Sequence, residues 1–320
     1  MAAWSERFTC YTAALGVWLT HRQLRWWRPL LTGGPYLGVR EQGGLWQFDH
    51  SPVPWAGGLG LTVRGCDDAK EARAAVDDLR GVGPVIVAAD VFHLPWQLGY
   101  RRWHAPHWFV LPPLGAAAEL VDPLAMTTER GRQKPFRGPL PPALFVGWGR
   151  ALSGDNTVHQ FRERSVLGTG PTQLGARYRW LEPVVPGCGP IRETMRTDHR
   201  LAGPDACHAL ADYFTDHGSD SAAYSQAEDV WQAVRQREFA VSAAEADPGL
   251  MPPQALAHWR SALEHWRRLP GLLLHARLSA EASRPDAARA VVSALRRVAA
   301  FEGQHRVGEP AVEVDGWESR

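Results

Sequence analysis

Apolar positions fall into short continuous runs in the first half of the chain and recur at helical spacing in the last third, so the two regions predict different architectures. Near the N-terminus, Ala13, Ala14, Val17, Trp18 and Leu24 lie close to a 3.6-residue period. Thr9 is placed to cap that pattern, which predicts a helix from Cys10 to about Arg28 with Cys10 in its first turn. Glycines at 33, 34, 38, 43, 44, 57, 58 and 60 then mark turns between short strands at 45–48 and 59–63. Asp67 and Asp68 open a second helix over 67–79, followed by Gly81. The run PVIVAA at 84–89 is continuously apolar and of strand length, so it reads as a buried strand ended by Asp90. Two further apolar runs, 108–111 and 118–121, flank a loop containing Pro112, Pro113 and Gly115, the pattern of a hairpin. A short helix starting at its proline is expected over 142–152. Between 154 and 203, glycines and prolines alternate with short runs such as ARYRWLEPVV, and no element stands out.

After Pro204 the pattern becomes helical over 205–217, 226–241, 253–268, 272–281 and 286–304. Trp259 and Trp266 are seven apart and share a helix face, as core residues do. The expected fold class is therefore α+β. A mixed N-terminal domain is expected over 1–165 and a mainly helical domain over 166–320.

Composition narrows the function classes. The 320 residues are 45% apolar and 22% charged, which suits folded domains rather than disorder. The 35 basic and 34 acidic residues nearly cancel, so no field of one sign draws nucleic acid or a membrane surface to the whole molecule. No window holds the roughly 18 apolar residues of a membrane span, and the N-terminus lacks the shape of a signal peptide. The four cysteines, Cys10, Cys66, Cys188 and Cys207, form no CxxC pair, so reduced thiols in a cytoplasmic protein are expected.

One set of residues suggests chemistry. A thiol attacks as its thiolate, and a helix N-terminus favours the anion. Cys10 is the cysteine placed there. His107 stands at the mouth of the apolar run WFVL, and Asp122 ends the next run. Neighbouring antiparallel strands can bring such a pair within hydrogen-bond reach, the carboxylate fixing the imidazole and the imidazole serving the thiol. His104 is the rival base. With no third ligand evident, neither histidine points to a metal. The backbone N–H of Cys10 is one natural oxyanion donor, and Gln42 or Gln47 are candidates for a second. Fifteen tryptophans are many for this length. Trp96, Trp103 and Trp108, near the histidine, are candidates to line a water-excluding substrate pocket, although core packing is the common fate of tryptophan.

The order Cys, His, Asp is that of papain-like cysteine enzymes, and the ordered motifs resemble one branch of them more closely. FTCYTAAL at 8–15, GGPYLGVR at 33–40, VIVAADVFHLPW at 85–96, HAPHWFVL at 104–111, LVDP at 120–123 and PFRGPLPPAL at 135–144 are together similar to the butirosin-biosynthesis H family of acyltransferases. One departure is PPLGAAA after the histidine strand, where the family usually has a Gly-Tyr-Asp-like turn. The resemblance implies a papain-like N-terminal domain and a helical second region. It implies Cys10 as nucleophile, His107 as base and Asp122 as orienting carboxylate, with no cofactor, and Asp90 matches a family acidic position, a candidate for substrate contact or for a turn cap. The implied partners are an acylated carrier protein and a small-molecule acceptor, the acyl group passing from a phosphopantetheine thioester through the cysteine to an amine. The same triad would serve a thioesterase or peptidase, and the same fold could serve a non-catalytic binding protein.

Overall fold

The computed structural model describes residues 6–22, 30, 37–42, 45–48, 59–128, 130–140, 176–184, 201–224, 227–284 and 287–304. In chain order the strands are β1 (Gly38–Gln42), β2 (Leu45–Phe48), β3 (Leu61–Cys66), β4 (Val85–Asp90), β5 (Pro106–Leu111), β6 (Leu120–Asp122), β7 (Met126–Thr128), β8 (Gly131–Gln133), β9 (Phe136–Gly138), β10 (Tyr178–Pro183) and the two-residue β11 (Leu201–Ala202). The helices are α1 (Cys10–His21), α2 (Ala69–Val82), α3 (Pro204–His217), α4 (Ala227–Ala246), α5 (Pro253–Trp266), α6 (Leu269–Glu281) and α7 (Ala287–Gln304). The fold is α+β with antiparallel sheets. It divides into two compact units, Met1–Arg200 with Glu228–Ala243, and Leu201–Ala227 with Ala244–Arg320.

The first unit is built on a six-stranded antiparallel sheet in the order β3-β10-β4-β5-β6-β9. Every residue of β4 is buried, as its unbroken apolar run requires. Strand alternation sends Val85, Val87, Ala89, Phe109 and Leu111 to one face, where they pack with Ala72 and Val76 of α2 and with Tyr178 and Trp180 of β10. Trp108, of opposite parity, meets Tyr11 of α1 edge-on with centroids 5.8 Å apart. The sheet is thus covered by α2 on one side and α1 on the other. Two capping devices explain where these helices begin. Thr9 Oγ1 accepts the Thr12 N–H at 3.1 Å, and Asp68 accepts from Lys70 N and Glu71 N at 2.9 and 2.8 Å.

Several expectations are corrected. Helix α1 ends at His21 rather than near residue 28, and α2 runs two residues later at its start and three at its end than 67–79. The division at residue 165 does not follow the packing. Strand β10 lies beyond that point yet sits between β3 and β4, and residues 228–243 of α4 also belong to the first unit. The helix expected over 142–152 lies outside the described residues.

The second unit is helical, and α7 packs along α3, α5 and α6. Trp259 and Trp266 are 1% and 0% exposed, the core role that their spacing predicts. The indole of Trp266 donates to Glu302 Oε1 at 3.0 Å, so its buried N–H is satisfied. Among the described residues no helix is long and apolar enough to cross a membrane.

Candidate active site

The first turn of α1 presents Cys10 half-buried, at the end where the helix dipole is positive. Thr9 takes the Thr12 N–H, while the N–H groups of Cys10 and Tyr11 have no intrahelical carbonyl to bond. Nearly all of the helix behind Cys10 is buried, so the sulfur is held on a rigid element.

The sheet register brings the other two residues together. Val110 of β5 faces Val121 of β6. Counting along the antiparallel pair puts Phe109 opposite Asp122, and His107 one same-face step further. That diagonal is within reach of long side chains. His107 Nε2 indeed donates to Asp122 Oδ2 at 2.7 Å, with both side chains almost wholly buried. The loop PPLGAAA, which departs from the Gly-Tyr-Asp-like turn of the resembled family, is pinned by α2. Arg80 Nε donates to Pro112 O at 2.8 Å, and Leu114 N donates to Arg80 O at 3.1 Å. The departure therefore leaves the His–Asp diagonal intact.

The third member is also within reach. Cys10 acts on the His107 ring by charge and by a side-chain hydrogen bond, beside the bond that Nε2 makes to Asp122. Burial pulls the His107 ring down. The charges and hydrogen bonds of Asp122 and Cys10 outweigh it and push the ring up to about 10. Both neighbours thus favour the protonated ring, which lies between a carboxylate and a sulfur.

The carboxylate has more donors than the sequence suggested. Asp122 Oδ2 accepts from Trp96 Nε1 at 2.7 Å and from Gln97 Nε2, and Oδ1 accepts from Leu124 N at 3.1 Å. The Gln97 amide also lies 3.0 Å from His107 Nε2, so the amide and the ring converge on one oxygen. Gln133 holds the backbone on either side of Gln97. Its Nε2 donates to Trp96 O at 3.1 Å, and its Oε1 accepts from Leu98 N at 3.0 Å.

The tryptophan expectations divide. Trp96 is half-buried, stacked on Phe136 at 4.9 Å and packed against the core, and it spends its N–H on Asp122. Trp103 is half-buried, with the Arg130 guanidinium 4.9 Å from its ring. Trp108 is corrected: it is 2% exposed and packed on Tyr11, so it offers no surface to a ligand.

Asp90 is 2% exposed, and local groups occupy both its oxygens. Oδ1 accepts from Phe92 N at 3.0 Å and Ala105 N at 3.2 Å, and Oδ2 bonds His104 Nδ1 at 2.6 Å. It caps the turn Val91–His93 and steers His104, which corrects its expected role in substrate contact. His104 is thereby engaged with Asp90, while His107 is the histidine facing Cys10. Of the other thiols, Cys207 is fully buried. Cys66 donates to Asp68 O at 3.3 Å, and burial pushes its thiol up. Cys188 and the side chains of Gln42 and Gln47 lie outside the described residues.

A scan against protein-family models and a search of curated proteins each return no match for this chain.

Proposed function

We propose that the protein is a cysteine acyltransferase with a papain-like catalytic unit, Cys10 being the nucleophile, His107 the acid and base, and Asp122 the orienting carboxylate. The observation that supports this best is the assembly of the three, distant in sequence, into one hydrogen-bonded row with the sulfur at a helix N-terminus.

The Cys10 thiolate attacks the carbonyl carbon of a thioester, and the first-turn N–H groups of α1 face the developing oxyanion. The tetrahedral adduct collapses, breaking the bond to the leaving thiolate, which takes the proton of the His107 imidazolium. The resulting acyl-enzyme is attacked by an amine, whose proton passes to the now neutral His107 as the Cys10 thiolate leaves. An amide replaces a thioester, so the sequence runs downhill. The resemblance noted above makes a phosphopantetheine arm on a carrier protein the proposed acyl donor and a small-molecule amine the proposed acceptor.

The test is incubation with an acylated carrier, with and without candidate amines, followed by intact-protein mass spectrometry. An acyl adduct on Cys10 that amines discharge to amide is the expected result. Discharge to free acid alone would make the protein a hydrolase, and no adduct at all would leave it as a binding protein on this fold.

A further inference from the structure

Helix α4 comes from the second half of the chain, yet residues of its first-unit portion touch both sides of the candidate site. Arg7 Nη1 donates to Glu238 O at 3.4 Å across 231 residues of sequence. Phe8 meets Phe239 edge-on at 4.7 Å, and both rings are buried. These two residues lead directly into Cys10. Gln232 and Gln236 line one recess together with Thr9 and Thr12. On the other side, Arg235 Nη2 donates to Ala125 O at 2.8 Å, three residues after Asp122.

Arg235 is unusual in itself. It is 3% exposed, its guanidinium lies 4.4 Å from the Trp231 ring, and among the described residues its Nε and Nη1 have no hydrogen-bond partner. Burial pulls it down to about 10, with Glu238 and Glu6 opposing. A buried cation that makes one described hydrogen bond is expensive to keep, and an apolar side chain would pack there at lower cost. Its bond among the described residues goes to the segment that carries Asp122.

We propose that Arg235 is a positioning residue, which ties the segment after Asp122 to α4 while Arg7 and Phe8 tie the segment before Cys10 to the same helix, so that α4 sets the spacing between the sulfur and the His107–Asp122 pair. This rests on the reading of Cys10, His107 and Asp122 as one reactive site, but not on the identity of the acyl donor or acceptor.

The test uses the full chain and no acyl substrate. Cys10 alkylation by iodoacetamide is followed by mass spectrometry from pH 5 to 10 in the wild type, Arg235→Met and Arg235→Lys. In the wild type, Cys10 should label at least tenfold faster than Cys66 at pH 6. In Arg235→Met that advantage should fall about tenfold, while labelling at pH 10, where thiols in general are ionised, stays within about twofold. Arg235→Lys, which keeps a charge and a donor, should recover part of the loss, and it serves as the readout if the Met variant does not fold. Wild-type pH profiles in the folded variants, even with a lowered Tm, would reduce Arg235 to a packing residue and overturn the proposal while leaving the reactive site standing. A wild-type Cys10 no faster than Cys66 would instead overturn the reactive site, and the positioning role with it.

Discussion

Replacing Asp122 by Asn tests the electrostatics of the site most directly. The rise of His107 from 6.5 to about 10 corresponds to about 5 kcal/mol in favour of the imidazolium. Asp122 supplies much of it by charge and hydrogen bond, against the opposing effect of burial. An asparagine cannot stand in quietly. The Oδ2 site faces three donors, from Trp96, Gln97 and His107, and the Oδ1 site faces the Leu124 N–H. Either orientation of the amide sets an NH2 group against a donor, which costs about 1–3 kcal/mol on its own. In a Cys10→Ser background the sulfur's contribution is gone as well, leaving burial dominant. His107 should then titrate at or below its ordinary 6.5, whereas Cys10→Ser alone keeps it raised. Imidazole NMR titration reads both. The stability of the wild type follows the same shift. A histidine raised by folding stabilises fully below about pH 6.5, and that contribution is lost as pH climbs through about 10. Urea midpoints should therefore decline between pH 6.5 and 10 in the wild type and flatten over that window in Asp122→Asn. If the full 5 kcal/mol supports the reactive form, thiol alkylation at neutral pH falls by up to about 10³–10⁴-fold. A His107 that stays well above 6.5 in the double variant would refute the reasoning.

Other perturbations probe the surrounding scaffold. Gln133→Ala removes the clamp on the backbone around Gln97. It should slow Cys10 alkylation at pH 6 by about threefold to tenfold and lower Tm by a few degrees, measured by labelling and by thermal melts. Gly99→Ala drives a Cβ into Val91 Cγ1 and to 2.7 Å from the Trp103 ring. Overpacking there should destabilise by about 1–3 kcal/mol in urea titrations. Asp90→Ala strips the cap of the Val91–His93 turn and frees His104. It should cost about 1–2 kcal/mol of stability in the same titrations, yet leave the pH profile of Cys10 labelling unchanged. A fragment ending at residue 165 lacks β10 and α4, so circular dichroism should show it unfolded or aggregated rather than as a free domain.

What was legible in the sequence was local or periodic. Thr9 before a helical pattern placed Cys10 in a first turn because a side-chain cap acts over three residues. The unbroken run at 84–89 declared a doubly buried strand. His107 and Asp122 could be paired in advance because each ends an apolar run and adjacent runs tend to become adjacent strands. Gln97, Gln133 and Arg235 could not be found the same way. Each acts on groups tens of residues or more away, and no local pattern distinguishes a glutamine in a loop or an arginine on a helix from its solvated counterparts. Strand β10 escaped notice for a related reason. Arg179 and Glu182 interrupt its apolar character, and its strand identity comes from partners such as Cys66 and Ala88, far earlier in the chain. Trp108 was misplaced because a tryptophan beside a reactive histidine suits a core and a pocket equally until its neighbour Tyr11 is known.

The position of β10 bears on how the molecule is made. Emerging from the ribosome, β3 and β4 cannot join each other, because the slot between them is reserved for a strand that begins about 90 residues after β4 ends. At roughly 5–20 residues per second of synthesis, the nascent sheet waits on the order of 5–20 s with two unpaired inner edges. Expression yield should therefore respond to translation speed and to chaperones that shield strand edges, more than the final stability of the protein would suggest.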